Sequence, residues 1–530
     1  MDKKSVLVFG VGELQRSIIC RAKLKGLFTI GIDPCADAVC KDEVDAFEIV
    51  GGQDFEGTCA VVEKYGVDAI VTAATDKPLV MMARVAEKYG FPFYSVETAQ
   101  WSTDKYQMKQ RFMEGGVPCA RGRLIAKVEE ADDLYYPLIV KPRDNSGSRG
   151  VKLCRNKEEL QEAMQEALQY SHLNTVLVEE YIEGQEYSIE GLHYDGKSEV
   201  IQFTEKTTTE FPYNVELAHK QPANLTEEQK NDIRELVSKI AQCMHFENCP
   251  SHTELKINER GIFIIETSPR LGGDYITSTL VPLSTGINME DQLLNIALGE
   301  KVDIQTGRVD KASGVIFFCL PEGILANIDN RLLKLCNYLG VVSLNLKLNK
   351  GDHIKKITSS LNRYGEIIVV SEDREELGRL LEYCIDEFEK SIIIKNRFDE
   401  LYIGQSYQLS HRFTKEEVKC FAELSMDCNP LHLDYEFGKT SIFGENIVHG
   451  YLSSSLISAI IGTKMPGMGS IYLKQDLSFK KPVFHGDLVT AKVTITGKKE
   501  DKSILYLDTN CYNQKGNIVI EGTAIVKLNN

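Results

Sequence analysis

The chain has 530 residues, of which 43% are hydrophobic and 26% charged, with 40 Gly, 15 Pro and a formal net charge of −16. At roughly 150 residues per domain, this length predicts three or four domains. The residue balance is that of a globular protein and excludes disordered, collagen-like and coiled-coil chains. An acidic surface disfavours sequence-independent binding to phosphate backbones, so we expect no nucleic-acid partner.

The sequence favours a cytoplasmic protein over a secreted or membrane-bound one. No apolar run reaches the roughly 18 residues of a membrane span, and the opening apolar stretch is too short for the core of a signal peptide. Fourteen cysteines are scattered without a C-x-x-C pair, as expected in a reducing compartment. We therefore expect a cytoplasmic, multidomain protein with no membrane partner.

The order of predicted elements indicates a multidomain α/β and α+β fold. In residues 1–100 strands alternate with helices, which predicts a parallel sheet with helices on its faces. The strands are expected at 5–10, 28–32, 69–73 and 92–95, and the helices at 14–25 and 79–89. Residues 101–309 form an α+β domain, with strands at 138–141, 175–178, 188–193, 199–205, 254–257 and 262–266 and helices at 157–170 and 227–243.

A smaller α/β subdomain at 310–395 ends with a helix at 374–389 and a strand at 391–395. After a junction at 396–404, helices at 415–424 and 451–461 precede four β-rich runs, at 471–479, 488–495, 504–511 and 518–526. One helix wrapped by an antiparallel sheet indicates an independent domain at 405–530.

A glycine pair near the N-terminus imitates a dinucleotide fingerprint. Gly10 and Gly12 stand between the first predicted strand and helix, and Asp33 ends the next strand. The third glycine of that fingerprint is missing, because the motif continues with Glu13. The sequence therefore favours a structural turn or a substrate-side loop over NAD binding, with a nicotinamide oxidoreductase as the alternative.

Two lysines and a Gly/Ser loop predict a polyphosphate site. Lys105 begins a predicted helix, and the strand that contains Lys141 leads into a loop with Ser146, Gly147 and Ser148. A strand lysine beside such a loop can place a cation and several backbone N–H groups around phosphates. Segment 178–186 then offers backbone donors and acceptors with spaced carboxylates, which can recognise an adenine edge and ribose hydroxyls.

Segment 253–266 alternates as two strands of a hairpin, with Gly261 able to take the left-handed position of a three-residue turn. In that register Glu254 faces Glu266 directly. Two opposed carboxylates repel each other unless a divalent cation lies between them, and oxygen ligands suit Mg²⁺. Arg270 follows the hairpin and could hold a carboxylate or a transferred phosphoryl group in a bidentate manner.

These motifs, in this order, resemble the ATP-grasp superfamily of carboxylate–amine ligases across roughly residues 1–395. The resemblance is based on Asp104-Lys105 before Gly116-Val117-Pro118, Val140-Lys141-Pro142 with the glycine loop, Glu179-Glu180-Tyr181-Ile182, and the hairpin up to Arg270. The resemblance implies that Lys105 and Lys141 hold the phosphates of ATP while loop 144–150 closes over them. It also implies that Glu179 and the backbone near Ile182 meet adenine, and that Glu186 meets the ribose.

The same resemblance implies that Glu254 and Glu266 ligate Mg²⁺ or Mn²⁺, with Ser268 where the family usually has Asn, and that Arg270 steadies an acyl phosphate. A substrate carboxylate would attack the γ-phosphate of ATP, and an amine would capture the acyl phosphate to give an amide and ADP. Residues 310–395 resemble the C-terminal part of amino-acid ligases, which favours an amino-acid or dipeptide-like product; the runs are Lys350-Gly351-Asp352 and Asn362-Arg363-Tyr364-Gly365.

Near the C-terminus, a carboxylate and an imidazole stand five residues apart. Asn429 and Pro430 keep this stretch out of regular helix, so that Asp427 and His432 can converge on one water. Adding water to an activated double bond requires one group that removes a proton from water and another that delivers a proton to the α-carbon. Gly450 precedes a buried helix, and N–H groups at a helix start can stabilise a thioester enolate.

Residues 405–530 resemble the MaoC-like hotdog family of (R)-specific enoyl-CoA hydratases. The resemblance is based on Asp427-x-Asn429-Pro430-Leu431-His432, His449-Gly450, residues 466–472 and Lys481-Pro482-Val483-Phe484-x-Gly486-Asp487. The resemblance implies that Asp427 and His432 are the catalytic pair and that the Gly450 N–H helps to form the oxyanion site. Met426 replaces the glycine that usually precedes the aspartate. Such domains pair through their sheets, so we expect a homodimer through the hotdog domain.

We therefore predict a bifunctional enzyme. The ligase half would act on a small-molecule carboxylate and an amine, and the hydratase half on a thioester of coenzyme A or of an acyl carrier protein. One alternative is a non-catalytic hotdog module for dimerisation or acyl-carrier docking. Another is ADP-forming synthesis of an acyl thioester, with a thiol in place of the amine.

Overall fold

A computed structural model describes residues 3–145, 149–209, 211, 213–320, 322–395, 397–467 and 469–528. The chain divides into two units, which are considered separately. The first runs up to Cys319 and includes Asn330–Leu348 and Ile357–Ser391. The second contains Leu320–Asp329, Asn349–Lys356 and the chain from Ile392 onward. The predicted loop residues Ser146, Gly147 and Ser148 lie outside the described residues.

The first unit opens with a parallel sheet of strand order β3-β2-β1-β4, as the alternating pattern predicts. Its elements are β1 (Ser5–Phe9), α1 (Arg16–Leu24), β2 (Phe28–Asp33), β3 (Ala46–Ile49), α2 (Phe55–Tyr65), β4 (Ala69–Val71), α3 (Leu79–Tyr89) and α4 (Val96–Thr103). Val6 and Val8 pack into one apolar cluster and Leu7 and Phe9 into another, because both faces of the sheet are covered. The prediction of a strand at 92–95 is wrong. The fourth strand of this sheet is instead β3, which is partly exposed and lies at one edge.

A small antiparallel sheet of order β5-β8-β6-β7 follows. Its elements are α5 (Lys105–Glu114), β5 (Gly122–Ile125), β6 (Leu138–Pro142), β7 (Lys152–Cys154), α6 (Lys157–Gln169) and β8 (Val176–Glu180). The Asp104 carboxylate accepts from the backbone N–H groups of Tyr106 and Gln107 and so caps α5. This cap fixes the start of α5 and therefore the position of Lys105, the first residue of the helix.

The rest of the first unit is built on a sheet of order β13-β12-β9-β10-β11-β14-β18-β16. Its strands are β9 (Gln185–Tyr194), β10 (Lys197–Thr208), β11 (Glu216–Gln221), β12 (Cys249–Asn258), β13 (Gly261–Ser268), β14 (Ala312–Phe317), β16 (Val341–Leu346) and β18 (Gly365–Ser371). The helices are α7 (Glu227–Met244), α8 (Val281–Thr285), α9 (Met289–Ala297), α10 (Arg331–Cys336) and α11 (Arg374–Ser391). Strands β9 to β13 of this sheet carry part of the wall of the cavity described below.

The second unit has a three-stranded sheet and a hotdog domain. The small sheet pairs β15 (Gly323–Ile328) with β17 (His353–Ile354) and β19 (Ile392–Lys395). The hotdog domain has a sheet of order β20-β22-β23-β24-β21. Its elements are α12 (Arg397–Glu400), β20 (Ser406–Arg412), α13 (Lys415–Ser425), α14 (Pro430–Leu433), α15 (Tyr435–Thr440), α16 (Gly450–Thr463), β21 (Ser470–Phe479), β22 (Leu488–Lys499), β23 (Ile504–Asn513) and β24 (Ile518–Leu528).

Helix α16 packs on the hotdog sheet through Leu456, Ile457, Ile460 and Ile461, while alternate residues of β22 face it. Those residues, all fully buried, are Val489, Ala491, Val493 and Ile495. Phe398 and Leu401 belong to the same core, so residues of the predicted junction at 396–404 are part of this domain. Within the described part of the chain, the helices are too short or too polar to cross a bilayer.

Candidate active sites

The first unit contains a cavity of about 530 Å³, bordered by β6, β8 to β13 and the loop after β4. A cavity of this size can hold a nucleotide or a substrate of similar size. It brings together eight of the predicted site residues: Lys105, Lys141, Glu179, Ile182, Glu186, Glu254, Glu266 and Arg270. These residues come from segments far apart in the sequence, and they converge because the two antiparallel sheets of the first unit face the same space.

The β12–β13 hairpin places Glu254 opposite Glu266, as the sequence predicts, but by another route. Asn258 pairs with Gly261, so the turn has two residues rather than the predicted three. A bulge at Ile265 then shifts the register by one residue and restores the Glu254–Glu266 pairing. Gly261 has φ 123°, which favours glycine at the start of β13.

Each opposed carboxylate is bound by a lysine. Lys105 Nζ donates to Glu266 Oε2 at 2.7 Å, and Lys206 Nζ donates to Glu254 Oε1 at 2.7 Å. The other oxygen of each carboxylate, Glu254 Oε2 and Glu266 Oε1, has no hydrogen-bond partner among the described residues. Two carboxylate oxygens that are left free in one polar cavity are the donor set that Mg²⁺ or Mn²⁺ prefers.

Lys206, which no sequence motif marked as a site residue, is 4% exposed. Its ammonium lies 2.7 Å from Glu254, 2.9 Å from Glu186 and 3.7 Å from Glu216. Burial lowers the pKa of Lys206, but the three carboxylates outweigh burial and hold it well above its ordinary value. Lys206 therefore stays charged and ties the predicted metal ligand Glu254 to the predicted ribose contact Glu186.

Glu179 is buried between two lysines, Lys109 at 2.5 Å and Lys141 at 2.8 Å. Burial raises the pKa of this carboxyl, but the two ammonium groups lower it below its ordinary value. The side chain therefore holds Lys141 at the cavity wall. Both oxygens of Glu179 face ammonium groups in this structure, and its contact with adenine stays a prediction. Ile182, two residues after β8, lines the cavity.

Arg270 and Ser268 meet a residue of the N-terminal α/β domain. The Arg270 guanidinium donates to Asp76 at 3.0 and 3.4 Å, and the Ser268 hydroxyl donates to the same carboxylate at 2.6 Å. In this structure the Ser268 hydroxyl donates to Asp76, and its role as a third metal ligand stays a prediction. Ser268 stands where the family usually has Asn. Its hydroxyl holds the Asp76 carboxylate, which in turn accepts from the Arg270 guanidinium.

His252 and Lys256 flank Glu254 on β12 and line the same cavity. His252 Nδ1 lies 2.6 Å from the buried Glu190. Burial lowers the pKa of His252, but Glu190 outweighs burial and raises it to about 9. Burial also lowers the pKa of Lys256. Their spacing of two residues on either side of a predicted metal ligand was the sequence signal that could have identified both.

A second group of polar side chains lines the cavity around Asp274. Arg363, from the segment that resembles amino-acid ligases, donates to both carboxylate oxygens of Asp274 at 2.9 and 2.6 Å. Burial raises the pKa of Asp274, but His219 and Arg363 hold it well below its ordinary value. His219 is 1% exposed, and neither ring nitrogen has a hydrogen-bond partner in the described ranges. Glu216, three residues before His219 on β11, adds a second carboxylate to this part of the cavity wall.

The hotdog domain contains the second predicted site. A carboxylate oxygen of Asp427 and ring nitrogens of His432 and His449 lie within 4.8 Å of one another. Asn429 has an extended backbone, but His432 then lies in the short helix α14 rather than in irregular chain. His432 Nδ1 donates to the carbonyl of Ile447 at 2.8 Å, so that Nε2 keeps the ring lone pair. Asp427 is exposed, whereas His432 is 9% exposed.

Gly450 begins α16, and its N–H is at the positive end of the helix. A Cβ atom at this position would lie 2.5 Å from the ring of Phe479, so only glycine fits without displacing that ring. Met426 ends α13 with φ 62°, a left-handed conformation that explains why the family usually has glycine there. Met426 therefore adopts a backbone conformation that favours glycine at this position.

Comparisons with known proteins agree with this division. Family models match residues 134–278 as an ATP-grasp domain, 316–391 as an L-amino acid ligase C-terminal domain, and 400–511 as a MaoC-like domain. The (R)-specific enoyl-CoA hydratase of Aeromonas caviae is 52% identical over 128 residues, which are 24% of this chain and 96% of the relative.

The alanine–anticapsin ligase of Bacillus subtilis is 26% identical over 287 residues, 49% of this chain and 60% of that protein. The crystal structure of an L-amino acid ligase from Bacillus licheniformis superposes with a TM-score of 0.64 at 20% identity, over 74% of this chain and 99% of that one. This last likeness shows the fold. The chain is therefore an enzyme with two parts, an ATP-grasp ligase fold over about its first three quarters and, over its last quarter, a domain that belongs to the MaoC-like hydratase family.

Proposed function

We propose that the first unit joins a small-molecule carboxylate to an amine, with ATP converted to ADP through an acyl phosphate. The observation that carries this proposal is the facing pair Glu254 and Glu266, each held by a lysine and each with one free oxygen. Opposed acids in a cavity that also contains Lys141 and Arg270 suit a nucleotide triphosphate and its cation.

In this proposal, Glu254 and Glu266 hold Mg²⁺ or Mn²⁺, which neutralises phosphate charge when bound. Lys105 and Lys141 bind the phosphates, and Lys105 leaves Glu266 to do so. The backbone at Ile182 meets adenine and Glu186 meets the ribose. Arg270, held by Asp76, steadies the transferred phosphoryl group, because a guanidinium with a fixed orientation can donate two parallel hydrogen bonds.

We infer that the nucleophile is an amino acid. Glu216 and Asp274 make part of the cavity wall anionic, which suits an ammonium group. The attacking amine must lose a proton, and His219, whose ring nitrogens have no hydrogen-bond partner among the described residues, lies 3.8 Å from Asp274 in this region. The relatives named as an alanine–anticapsin ligase and an L-amino acid ligase support the same substrate class.

The test is a panel of amino-acid pairs and other acid–amine pairs, with ADP release and mass detection of the product. We expect ADP release that depends on both an acid and an amine, and a product whose mass equals their sum less water. Full-length Glu259→Gln changes an exposed acid in the turn of the β12–β13 hairpin and is the matched control for Glu266→Gln. ADP release with an acid and coenzyme A, but with no amine, would favour thioester synthesis instead.

We propose that the hotdog domain hydrates an enoyl thioester of coenzyme A or of an acyl carrier protein to the (R)-3-hydroxyacyl thioester. One member of the Asp427–His432 pair removes a proton from water, whose oxygen bonds to the β-carbon, and the other delivers a proton to the α-carbon. The Gly450 N–H stabilises the negative charge on the thioester oxygen. The 52% identity to an (R)-specific enoyl-CoA hydratase supports this choice.

Hydration of crotonyl-CoA by the full-length protein, followed by the loss of enoyl absorbance and by chiral analysis of the product, tests this activity. We expect turnover to the (R)-product and a loss of turnover in Asp427→Asn. A wild-type protein without turnover on coenzyme A or carrier-protein thioesters would instead support a docking or dimerisation module.

We further propose a homodimer through the hotdog domain. Strand β21 lies at the edge of its sheet and exposes Ile471, Leu473 and Phe479, which are 43%, 52% and 50% exposed. An unpaired edge with apolar side chains is a template for a second copy. Analytical ultracentrifugation should give a dimer for the wild type and a monomer for Leu473→Lys; a monomeric wild type would exclude the dimer.

A further inference from the structure

His449 contacts both members of the proposed hydration pair. It precedes α16 and is 2% exposed. Its Nε2 lies 2.9 Å from the main-chain carbonyl oxygen of Asp427. Because a carbonyl oxygen only accepts, this nitrogen carries a proton and donates it. The hydrogen bond fixes the backbone of the residue whose carboxylate must face water.

The other contact of His449 is with His432. The two imidazole rings stack with centroids 3.8 Å apart and an interplanar angle of 29°. His432 is already fixed at one edge, since its Nδ1 donates to the carbonyl of Ile447. The stack adds a flat surface against the face of the same ring, so the ring cannot tilt while its Nε2 exchanges a proton.

A purely structural role does not account for this histidine. Its Nδ1 is buried and has no hydrogen-bond partner among the residues that the structure describes. A buried acceptor without a partner is unfavourable, and the ring of Phe421 5.1 Å away shows that the surroundings accept an apolar side chain. A residue retained only for packing would have no unsatisfied atom here.

We propose that His449 is a positioning residue of the hydratase site. It holds the Asp427 main chain through its donor and the His432 ring through its face, so that the carboxylate and the imidazole act on one water. This inference rests on the proposed hydratase activity. His449 touches neither the water nor the thioester in this assignment.

Two variants of the full-length chain separate the two contacts. His449→Phe keeps a flat ring against His432 but removes the donor to Asp427, and His449→Gln keeps a donor but removes the stack. Because small misplacements of reacting groups cost up to about 100-fold in rate, we expect kcat for crotonyl-CoA to fall roughly 10- to 100-fold in both variants. KM should stay within about twofold, because substrate contacts are unchanged.

His411→Gln is the matched control. His411 lies on β20 of the same domain and contacts Glu417, with 43% of its side chain exposed. We expect wild-type kcat and KM from this variant. Circular dichroism and thermal unfolding of each variant show that it is folded; if His449→Phe does not fold, His449→Gln provides the measurement.

A double-mutant cycle with Asp427→Asn distinguishes positioning from a general loss of structure. If His449 acts through Asp427, His449→Phe should lower the residual rate of the Asp427→Asn protein less than twofold, since the group it positions is already disabled. Wild-type kcat in both His449 variants, equal fold-losses in the two backgrounds, or a rise in KM that matches the loss in kcat would each overturn the proposal. Failure of the wild type to hydrate any thioester would instead remove the hydratase function, and the positioning role with it.

Discussion

The two candidate sites are assembled over very different distances in sequence. In the first unit, Lys105 and its partner Glu266 are 161 positions apart, and Asp76 and Ser268 are 192 apart. In the hotdog domain, His432 and Ile447 are 15 positions apart, and Asp427 and His449 are 22 apart. A site built from one short segment depends on local backbone geometry, whereas the cavity depends on the packing of several sheets. The two sites should therefore respond differently to substitution.

The largest expected effects test whether the two sites act independently. Glu266→Gln removes the charge that pairs with Lys105 and one oxygen of the proposed cation site, so we expect ADP formation to fall about 10²- to 10³-fold. Asp427→Asn should lower crotonyl-CoA hydration about 10²- to 10⁴-fold. Each variant should keep the other activity at the wild-type level. Loss of both activities in either single variant would contradict the division into two sites.

The hotdog site was largely predictable from sequence because Asp427, His432 and Gly450 lie in short motifs with fixed local geometry. The φ of 62° at Met426 shows why the pattern tolerates one departure, since a non-glycine residue can adopt that conformation with some strain. The motif did not show that His449 contacts both Asp427 and His432, because ring stacking depends on how α14 and α16 pack.

For the cavity, the sequence predicted the opposed pair Glu254 and Glu266 but not the partners that hold it. The pairing was right although the turn was wrong, since the bulge at Ile265 compensates for the shorter turn. Lys206 and Asp76 come from segments whose approach is set by tertiary packing, and neither carries a local motif. The same limit applies to Ser268, because its hydrogen bond to Asp76 could not be predicted from the sequence.

The next prediction concerns this long-range packing. Lys206→Met leaves three carboxylates around a buried apolar side chain, and we expect the first unit to lose roughly 3 kcal/mol of unfolding free energy. Trp101 is the only tryptophan of the chain and lies in the first unit, so its fluorescence during urea unfolding reports on that unit. Lys197→Met, an exposed lysine on the same strand, should unfold like the wild type. Equal midpoints for all three proteins would show that the buried ion cluster does not stabilise the cavity.

The cavity should also show a pH dependence. Glu190 raises the pKa of His252 from 6.5 to about 9, so the folded protein binds this proton more tightly than the unfolded chain. The resulting stability, on the order of 3 kcal/mol, is complete below pH 6.5 and is lost as the pH rises through 9. Urea unfolding followed by Trp101 between these pH values should show this decline in the wild type but a smaller one in His252→Gln. The same slope in both proteins would show that another group titrates.

The smallest expected effect decides between the sequence and the structure at one residue. If Ser268 only supports Asp76, Ser268→Ala removes one of three hydrogen bonds to that carboxylate and should lower stability by about 1 kcal/mol. Arg270 keeps its own contacts with Asp76, so the Mg²⁺ concentration for half-maximal ADP formation should not change. A cation ligand, by contrast, would raise that concentration when it is deleted. A Mg²⁺ titration at fixed ATP separates the two roles, with Ser278→Ala as the control because the Ser278 hydroxyl contacts the hydroxyl of its neighbour Thr279. A marked rise in the Mg²⁺ requirement of Ser268→Ala would mean that this hydroxyl turns from Asp76 to the cation once nucleotide is bound.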